Sequence, residues 1–435
     1  DFAGVGVAFK LACALYDGDV SDLIALYSDL IAIGTLADLV PMVGENRGLV
    51  RAGLECINQS PRVGVQALKQ AAGSAQTYSA SDVTFRLCPR INAAGRMDSA
   101  LRALELLLSE DEEDAAFRAA QLCEENQHRQ ELERSILEDI EHKIAVSPDL
   151  LQGRVLVVAG ENYHPGVIGI VASHLVERYG KPAVVITLCA DGTASGSARS
   201  IEGFNLFEAI QSCADCLTRY GGHPMAAGLG LLAENVAAFR ETINAYAAEA
   251  YPSMPVQKLV LDCKLSPFYL TLDLVDSLSL LEPCGTENNQ ALFGLYGLEI
   301  VSVTPIGEGK HIRIEAQKKG KKIRIVQFGV SPEQFPYLPG EIVDCAVRLS
   351  KNIFKERTYL SVRAEEIRRS GIDDDLYFAQ LEDYRRFLAG ACPKGAVYPD
   401  RAACSAVYRY LKNRDGWQFD LDELYFALQD RVTYA

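Results

Sequence analysis

Residues 153–187 read GRVLVVAGENYHPGVIGIVASHLVERYGKPAVVIT, and this stretch decides the fold class. Two short aliphatic runs, 155–158 and 183–186, flank a segment with helical apolar spacing. Strands that are apolar along their whole length and alternate with helices are typical of a sheet covered by helices. The stretch therefore predicts an α/β domain, which we place at residues 148–252.

The segments on either side have other patterns. Residues 1–110 show helical apolar spacing, and residues 111–147 open with an acidic cluster, which is favourable at a helix N-terminus. The middle of this long helix, 124–134, is almost wholly polar, as in a helix that connects two domains. Residues 256–370 carry short alternating strands with Gly or Pro turns and predict a small β-barrel. Residues 371–435 hold 12 of the 36 aromatic residues and predict a packed helical extension.

Composition limits the classes of function. The 435 residues carry a net charge of −15, which disfavours a protein that coats nucleic acid non-specifically. Residues 257–370 are locally balanced, with 16 Lys and Arg against 14 Asp and Glu, so a nucleic-acid groove would have to be local. No run of about 18 apolar residues is free of charge, and no membrane span is predicted. The twelve cysteines are too dilute for a disulfide scaffold and predict a reducing, cytoplasmic location.

Two parts of the helical region could carry chemistry. Asp38 follows the apolar run 31–37, where a carboxylate is costly unless it caps, pairs or binds a metal. Residues 90–98, RINAAGRMD, set two arginines and an asparagine among small residues, and guanidinium groups match phosphate oxygens. A helix cap at Asp38 and an internal ion-pair network within 90–98 are the structural alternatives. The candidate residues are Asp38, Arg90, Asn92 and Arg96.

Two small-residue segments, predicted as loops, lie in the α/β domain. Residues 195–200 read SGSARS, and residues 221–228 read GGHPMAAG. Hydroxyl groups, accessible amides and an arginine suit a phosphate cradle, so the two segments together favour a nucleotide or phosphodiester ligand. The binding candidates are Ser197, Arg199, Ser200, Gly221, Gly222 and His223.

Residues 310–324 form a predicted basic hairpin with seven Lys or Arg residues and one Glu. Phe328, Phe354 and Tyr359 could add stacking surfaces, and a groove for single-stranded nucleic acid is predicted. Basic turns also keep edge strands soluble, which is the alternative. The binding candidates are Lys310, Arg313, Lys318, Lys319, Lys321, Lys322 and Arg324.

Taken in order, these motifs resemble the DHH phosphoesterase family, and within it the RecJ type of single-strand-specific exonuclease. Residues 4–10, GVGVAFK, the segment ending at Asp38, and residues 90–96 resemble later motifs of the DHH domain. Residues 164–172, HPGVIGIVA, and the two small-residue segments resemble the DHH-associated domain. Residues 281–285, LEPCG, are similar to the opening of the family's OB-fold.

The resemblance covers residues 1 to about 370 and implies an α/β multidomain protein. Its parts would be a partial DHH phosphoesterase domain (1–110), a long connecting helix (111–147), a DHH-associated α/β domain (148–252), an OB-fold β-barrel (256–370) and a helical C-terminal extension (371–435). The Asp-His-His triplet and the earlier metal-binding aspartates are expected before residue 1, which leaves Asp38 as the metal ligand that can be carried over. Glu287 and Asn289 depart from the family pattern.

The implied activity is 5′-to-3′ hydrolysis of single-stranded DNA in repair and recombination, with two Mn²⁺ or Mg²⁺ ions that activate water. Arg90, Asn92 and Arg96 would lie near the scissile phosphate beside Asp38. The end nucleotide would be held by Ser197, Arg199, Gly222 and His223. Single-stranded DNA is the expected partner, joined by a single-strand-binding protein or a helicase, with no membrane. Because one carboxylate cannot hold two ions, this chain alone is predicted to be inactive.

Two other functions stay open. The chain could be a non-catalytic module that binds single-stranded DNA. It could also be a DHH phosphodiesterase acting on short oligonucleotides or cyclic dinucleotides, although a small substrate does not need a barrel that guides a long strand.

Overall fold

The computed structural model describes residues 2–59, 61–73, 77–354, 357–388, 399–412, 421–429 and 431–434. The chain divides into two compact units. The first consists of residues 1–259 together with 283–288, and the second of residues 260–282 together with 289–435.

The first unit opens with helices, as predicted. They are α1 Gly4–Leu15, α2 Val20–Ala37, α3 Gly44–Gln59, α4 Val63–Ala71, α5 Ala80–Asp82, α6 Cys88–Met97, α7 Leu101–Leu108 and α8 Glu112–Val146. A π-helical turn, Val83–Leu87, joins α5 to α6. Such turns are uncommon and often lie near functional sites. This one leads directly into the segment that carries the candidate arginines.

Helix α2 contains a buried carboxylate. Among the described residues it is the one helix that is long and apolar enough, by length and composition alone, to cross a membrane. Asp29 on this helix is 1% exposed. Arg62 binds it in a bidentate way through one guanidinium edge, with Nε 2.8 Å from Oδ2 and Nη2 3.0 Å from Oδ1. Arg62 also donates to the Leu26 carbonyl at 2.7 Å, so the ion pair fixes the start of α4 against α2.

Helix α8 is the predicted long connector. Asp111 caps it by accepting a hydrogen bond from the Asp114 amide at 2.8 Å. Its polar middle is supported by pairs four residues apart, such as Arg129 with Glu133, which stabilise a helix that has no continuous apolar face. Its last turns, which carry Ile136, Ile140 and Ile144, join the core of the α/β domain.

The α/β domain follows α8. Its elements are β1 Leu156–Glu161, α9 Pro165–Tyr179, β2 Ala183–Leu188, β3 Thr193–Arg199, α10 Leu206–Gln211, β4 Leu217–His223, β5 Ala226–Leu232 and α11 Val236–Ala250. The sheet order is β1-β2-β3-β5-β4; β1 and β2 are parallel across α9, and the other pairs are antiparallel. The aliphatic residues of β1 and β2 are buried, which confirms the helix-covered sheet.

The second unit contains a closed barrel. Its elements are β6 Cys263–Lys264, α12 Leu272–Leu278, β7 Phe293–Ile306, β8 His311–Lys318, β9 Lys321–Gln327, β10 Ile342–Phe354 and β11 Arg357–Arg369. Pairing of β10 with β7 closes the five long strands on themselves, as the predicted barrel requires.

Among the described residues that follow the barrel, the helices are α13 Asp374–Leu388, α14 Arg401–Lys412 and α15 Leu421–Leu428. Two tyrosines converge on one carboxylate there, because Asp422 accepts hydrogen bonds from the Tyr377 hydroxyl at 2.7 Å and the Tyr434 hydroxyl at 2.6 Å. The aromatic residues thus pack the helical extension, in agreement with its predicted character.

Candidate functional site

The predicted SGSARS loop is part of strand β3. Its residues alternate, so that Ala194, Gly196 and Ala198 are buried while Ser195, Ser197 and Arg199 lie on the opposite, partly open face. Glycine and serine have low strand propensity, which is why the sequence predicts a loop here. Pairing with β2 on one side and β5 on the other overrides that preference.

A row of small residues crosses this open face. The strand register places Ser197 beside Gly228, and Gly228 beside Gly221 on β4. Because the two glycines carry no side chain, a ligand can approach the backbone along the row. Gly222 has φ +152°, and a Cβ there would lie 2.4 Å from the Ala226 carbonyl oxygen, so the β4–β5 hairpin requires glycine at this position.

The row forms the floor of a cleft of about 390 Å³. Pro165 and Ile168 at the start of α9 line one wall, and Arg219 and Tyr220 of β4 line another. Arg219 is exposed and adds a second cation beside the glycine row. The sequence alone does not indicate Arg219 as a candidate, because its place beside the glycines depends on the register between β4 and β5.

Arg199 presents a guanidinium group without a counter-ion. Its Nη1 donates to the Ser197 hydroxyl at 3.2 Å and the Ala198 carbonyl at 2.9 Å, and no ion pair involves it among the described residues. Burial lowers the pKa of Arg199, and the neighbouring Arg96 lowers it further. A Cβ at Gly169 would lie 2.9 Å from Arg199 Nη2, so the glycine leaves room for the guanidinium group against α9. A partly desolvated cation beside a second cation is the kind of arrangement that a bound anion such as phosphate stabilises.

Arg96, at the end of α6, lies close enough to Arg199 to lower the pKa of that residue. A Cβ at Gly166 would lie 2.2 Å from the Arg96 carbonyl oxygen, which shows how closely the end of α6 abuts the start of α9. The N-cap of α9 is His164, whose Nδ1 accepts the Gly166 amide at 3.1 Å. The structure therefore brings together Arg96, Ser197, Arg199 and Gly221 from separate motifs.

Other candidate residues lie elsewhere. Arg90 donates to Cys123 Sγ at 3.2 Å and to the Arg86 carbonyl, which is a structural arrangement inside the bundle. Ser200 is 6% exposed and its hydroxyl donates to the Phe204 carbonyl at 2.8 Å, so it supports the following turn. His223 and Asn92 are exposed, the former at the end of β4 and the latter on α6.

Asp38 is the C-cap of α2 and is exposed. Its amide donates to the Gly34 carbonyl at 3.1 Å, and the next residue, Leu39, has φ +52°. In the described part of the chain no three His, Cys, Asp or Glu side chains gather as metal ligands. The residues present therefore do not by themselves fit a two-ion centre.

The basic hairpin of the barrel is a two-residue turn between β8 and β9. Lys318 pairs with Lys321, while Lys319 and Gly320 both have positive φ, at +46° and +79°. The Lys318 ammonium donates to the Tyr296 carbonyl and is partly buried. Lys321 alternates in phase with the buried isoleucines of β9, whereas three other cations lie on the opposite, exposed face. The outward cations are Arg313, Lys322 and Arg324; Lys310 lies in the preceding turn.

Some outward cations already have acidic neighbours. Arg324 Nε lies 3.4 Å from Glu315 Oε1, and Lys310 Nζ lies 3.9 Å from Glu308 Oε2. Both are exposed pairs of the kind that contributes little to stability and exchanges readily. A phosphate could replace these carboxylates at small cost.

The residue after β9, Phe328, presents an exposed ring. Phe328 is 52% exposed, with its centroid 5.0 Å from the His311 ring, and the Arg363 guanidinium lies 5.7 Å from that centroid. Tyr359 is also exposed, at 48%. The side chain of Phe354 lies outside the described residues. Phe328 and Tyr359 offer flat surfaces on which bases can stack.

Known proteins share this architecture. A family model described as a DHHA1 domain matches residues 152–249, and one described as a RecJ OB domain matches residues 261–366. The single-stranded-DNA-specific exonuclease RecJ of Bacillus subtilis is 36% identical over 363 residues, which cover 82% of this chain and 45% of that protein. The corresponding values for Thermus thermophilus RecJ are 36% over 366 residues, 84% and 52%, and for Escherichia coli RecJ 32% over 389 residues, 84% and 67%.

The solved structures agree. The crystal structure of Thermus thermophilus RecJ with Mg²⁺ matches with a TM-score of 0.68 at 34% identity, over 80% of this chain and 53% of that one. The Mn²⁺ complex gives 0.69 at 33% identity, over 87% and 58%. These matches confirm the predicted DHH-associated and OB domains. The chain spans about half the length of the first two curated relatives.

Proposed function

Since the chain belongs to the RecJ family of single-stranded-DNA-specific exonucleases, we propose that it forms the strand-binding part of a 5′-to-3′ exonuclease. The observation that carries the proposal is the pair of cations, Arg96 and Arg199, beside a row of glycines and Ser197. A partly buried guanidinium that has no acidic partner among the described residues gains from a ligand that carries negative charge.

In this proposal the cleft receives the end nucleotide. Arg199 and the Ser197 hydroxyl bind a phosphate, while Gly221 and Gly228 leave room for the sugar and the backbone. His223 and Gly222 lie at the end of the same hairpin, where they contact the next nucleotide. Arg96 lies on the side of the phosphate that faces the helical region.

The barrel guides the rest of the strand. Its outward cations bind the sugar-phosphate backbone, and Phe328 and Tyr359 stack on bases without selecting among them. A small substrate such as a cyclic dinucleotide would not need this surface, so the barrel favours a long strand.

Mn²⁺ or Mg²⁺ are the ions we propose for the complete site, in keeping with the ions bound in the Thermus structures. Asp38 would be one ligand. Because no three His, Cys, Asp or Glu side chains gather as ligands among the described residues, we propose that the chain binds DNA but does not hydrolyse it alone. We also propose that it acts in the cytoplasm in DNA repair or recombination, together with a single-strand-binding protein or a helicase. The eleven cysteines in the described part of the chain are all free thiols, as a reducing compartment permits.

Fluorescence anisotropy with labelled single strands tests the binding, in parallel with an assay for released nucleotides. We expect salt-dependent binding without metal and no degradation when Mn²⁺ is added. Absence of binding to single strands would contradict the proposal. Degradation with Mn²⁺ that is lost in Asp38→Ala would show that the chain is active alone.

A further inference from the structure

A short turn within the OB-matched sequence belongs to the other unit. Residues 283–288 lie inside the range matched by the OB model, 261–366, yet they cluster with the helices and the α/β domain. The turn is tightly built: the Gly285 and Asn288 amides each donate to the other's carbonyl, at 3.0 and 3.1 Å. Asn288 Nδ2 also donates to the Pro283 carbonyl at 2.9 Å.

This turn covers Met42. The Met42 amide donates to the Thr286 carbonyl at 2.7 Å. A Cβ added at Gly285 would lie 3.1 Å from Met42 Cβ and 3.2 Å from Met42 Cε. Met42 is 1% exposed and is part of the helical core, although its neighbour Val43 is 46% exposed. The turn therefore holds both the backbone and the side chain of Met42.

Met42 ends the loop that begins with Asp38. Leu39 lies in the left-handed region at φ +52°, a conformation that a leucine keeps only when its surroundings fix it. Two contacts do so downstream: Asn46 Nδ2 donates to the Pro41 carbonyl at 3.0 Å, and Thr286 accepts from Met42. One anchor comes from α3 and the other from a distant part of the sequence.

We infer that residues 283–288 are a positioning element for the loop that carries Asp38. The turn touches neither substrate nor metal in this assignment; it acts through Met42 and fixes where the carboxylate lies. The inference rests on the proposed function for its consequence in catalysis, but the contact itself can be tested without any nuclease activity.

Hydrogen–deuterium exchange on the full chain provides that test. Gly285→Val adds a branched side chain against Met42, and we expect amides in residues 39–43 to exchange at least tenfold faster. Gly48→Val is the matched control, since a Cβ at Gly48, on α3, meets nothing within 4 Å. It should leave residues 39–43 at the wild-type rate. Peptides from residues 61–73 report whether the helical region as a whole has opened.

Two more variants keep the test decisive if Gly285→Val unfolds. Asn288→Ala removes the hydrogen bond to Pro283 without a steric clash and should speed exchange of the same amides. Met42→Ala combined with Gly285→Val makes room for the valine and should restore much of the protection. Unchanged exchange in both Gly285→Val and Asn288→Ala would overturn the inference. The two proposals can fail separately. If the variants exchange faster but the wild-type chain does not bind single-stranded DNA, the positioning role is supported and the proposed function is contradicted.

Discussion

Replacing Arg199 with Met tests whether this arginine binds a ligand or stabilises the fold. The side chain donates to one hydroxyl and one carbonyl, and Arg96 raises the positive potential around it. Because burial and Arg96 lower the pKa of Arg199, the charged form is less stable in the folded chain than in the unfolded chain. At neutral pH the guanidinium group is charged in both the folded and the unfolded chain, so the full cost to stability is present. The cost disappears when the charge is removed by substitution.

The substitution should therefore have opposite effects on binding and stability. A hydrogen bond to a charged group contributes about 1.5–3 kcal/mol, so removing the bond to phosphate should weaken strand binding about 10- to 150-fold. Met keeps an unbranched apolar stem in place of the one that carries the guanidinium group. We expect the unfolding midpoint to stay equal or to rise.

Anisotropy with 5′-phosphorylated and 5′-hydroxyl strands measures the first effect, and thermal unfolding measures the second. The loss of affinity should be larger for the phosphorylated strand if the cleft holds the terminal phosphate. Arg178→Met on α9 is the control, because Arg178 is exposed and pairs with Glu141 away from the cleft. Unchanged affinity together with a lower midpoint would show that Arg199 is structural and would refute the reasoning.

Two further perturbations test the barrel and the core. The basic hairpin is tested by a variant in which Ala replaces Lys318, Lys319, Lys321 and Lys322. The slope of log K against log salt concentration for a long strand should become shallower by about 0.7 for each phosphate that is no longer neutralised, while the affinity for a dinucleotide stays nearly unchanged. Equal losses of affinity for both ligands would favour a small-substrate enzyme. Arg62→Met leaves the Asp29 carboxylate buried without its partner and should cost about 3–5 kcal/mol in denaturant unfolding, most of which Asp29→Leu in the same chain should recover. A cost below about 1 kcal/mol for Arg62→Met would mean that water reaches Asp29.

Much of the fold follows from local patterns in the sequence. Helices such as α2 and α3 lie within residues 1–110, where the sequence predicts helices, since their apolar residues recur at helical spacing. The aliphatic strands β1 and β2 are equally clear. The small-residue strands β3 and β4 are not, because glycine and serine carry no strand signal and the pairing partners lie far away in the sequence.

The candidate site also combines residues that have a local sequence signal with residues whose placement depends on distant parts of the chain. The sequence indicates Arg199 and Ser197 because an arginine among small residues suits phosphate. It cannot show that Ser200, three residues after Ser197, turns inward to Phe204, or that Arg90 points to Cys123, since both depend on packing between distant elements. The hydrogen bond between Thr286 and Met42 spans still more of the chain and has no local signal.

The ion pair between Asp29 on α2 and Arg62 at the start of α4 has a consequence before folding is complete. During synthesis Val20–Ala37 emerges well ahead of Arg62, so for that interval its hydrophobic stretch is accompanied by an unneutralised Asp29. An aspartate at the centre of a lipid bilayer costs about 2.5–3.5 kcal/mol on insertion scales. Until Arg62 pairs with it, Asp29 thus makes this helix more costly to place in a bilayer than its apolar residues alone would indicate.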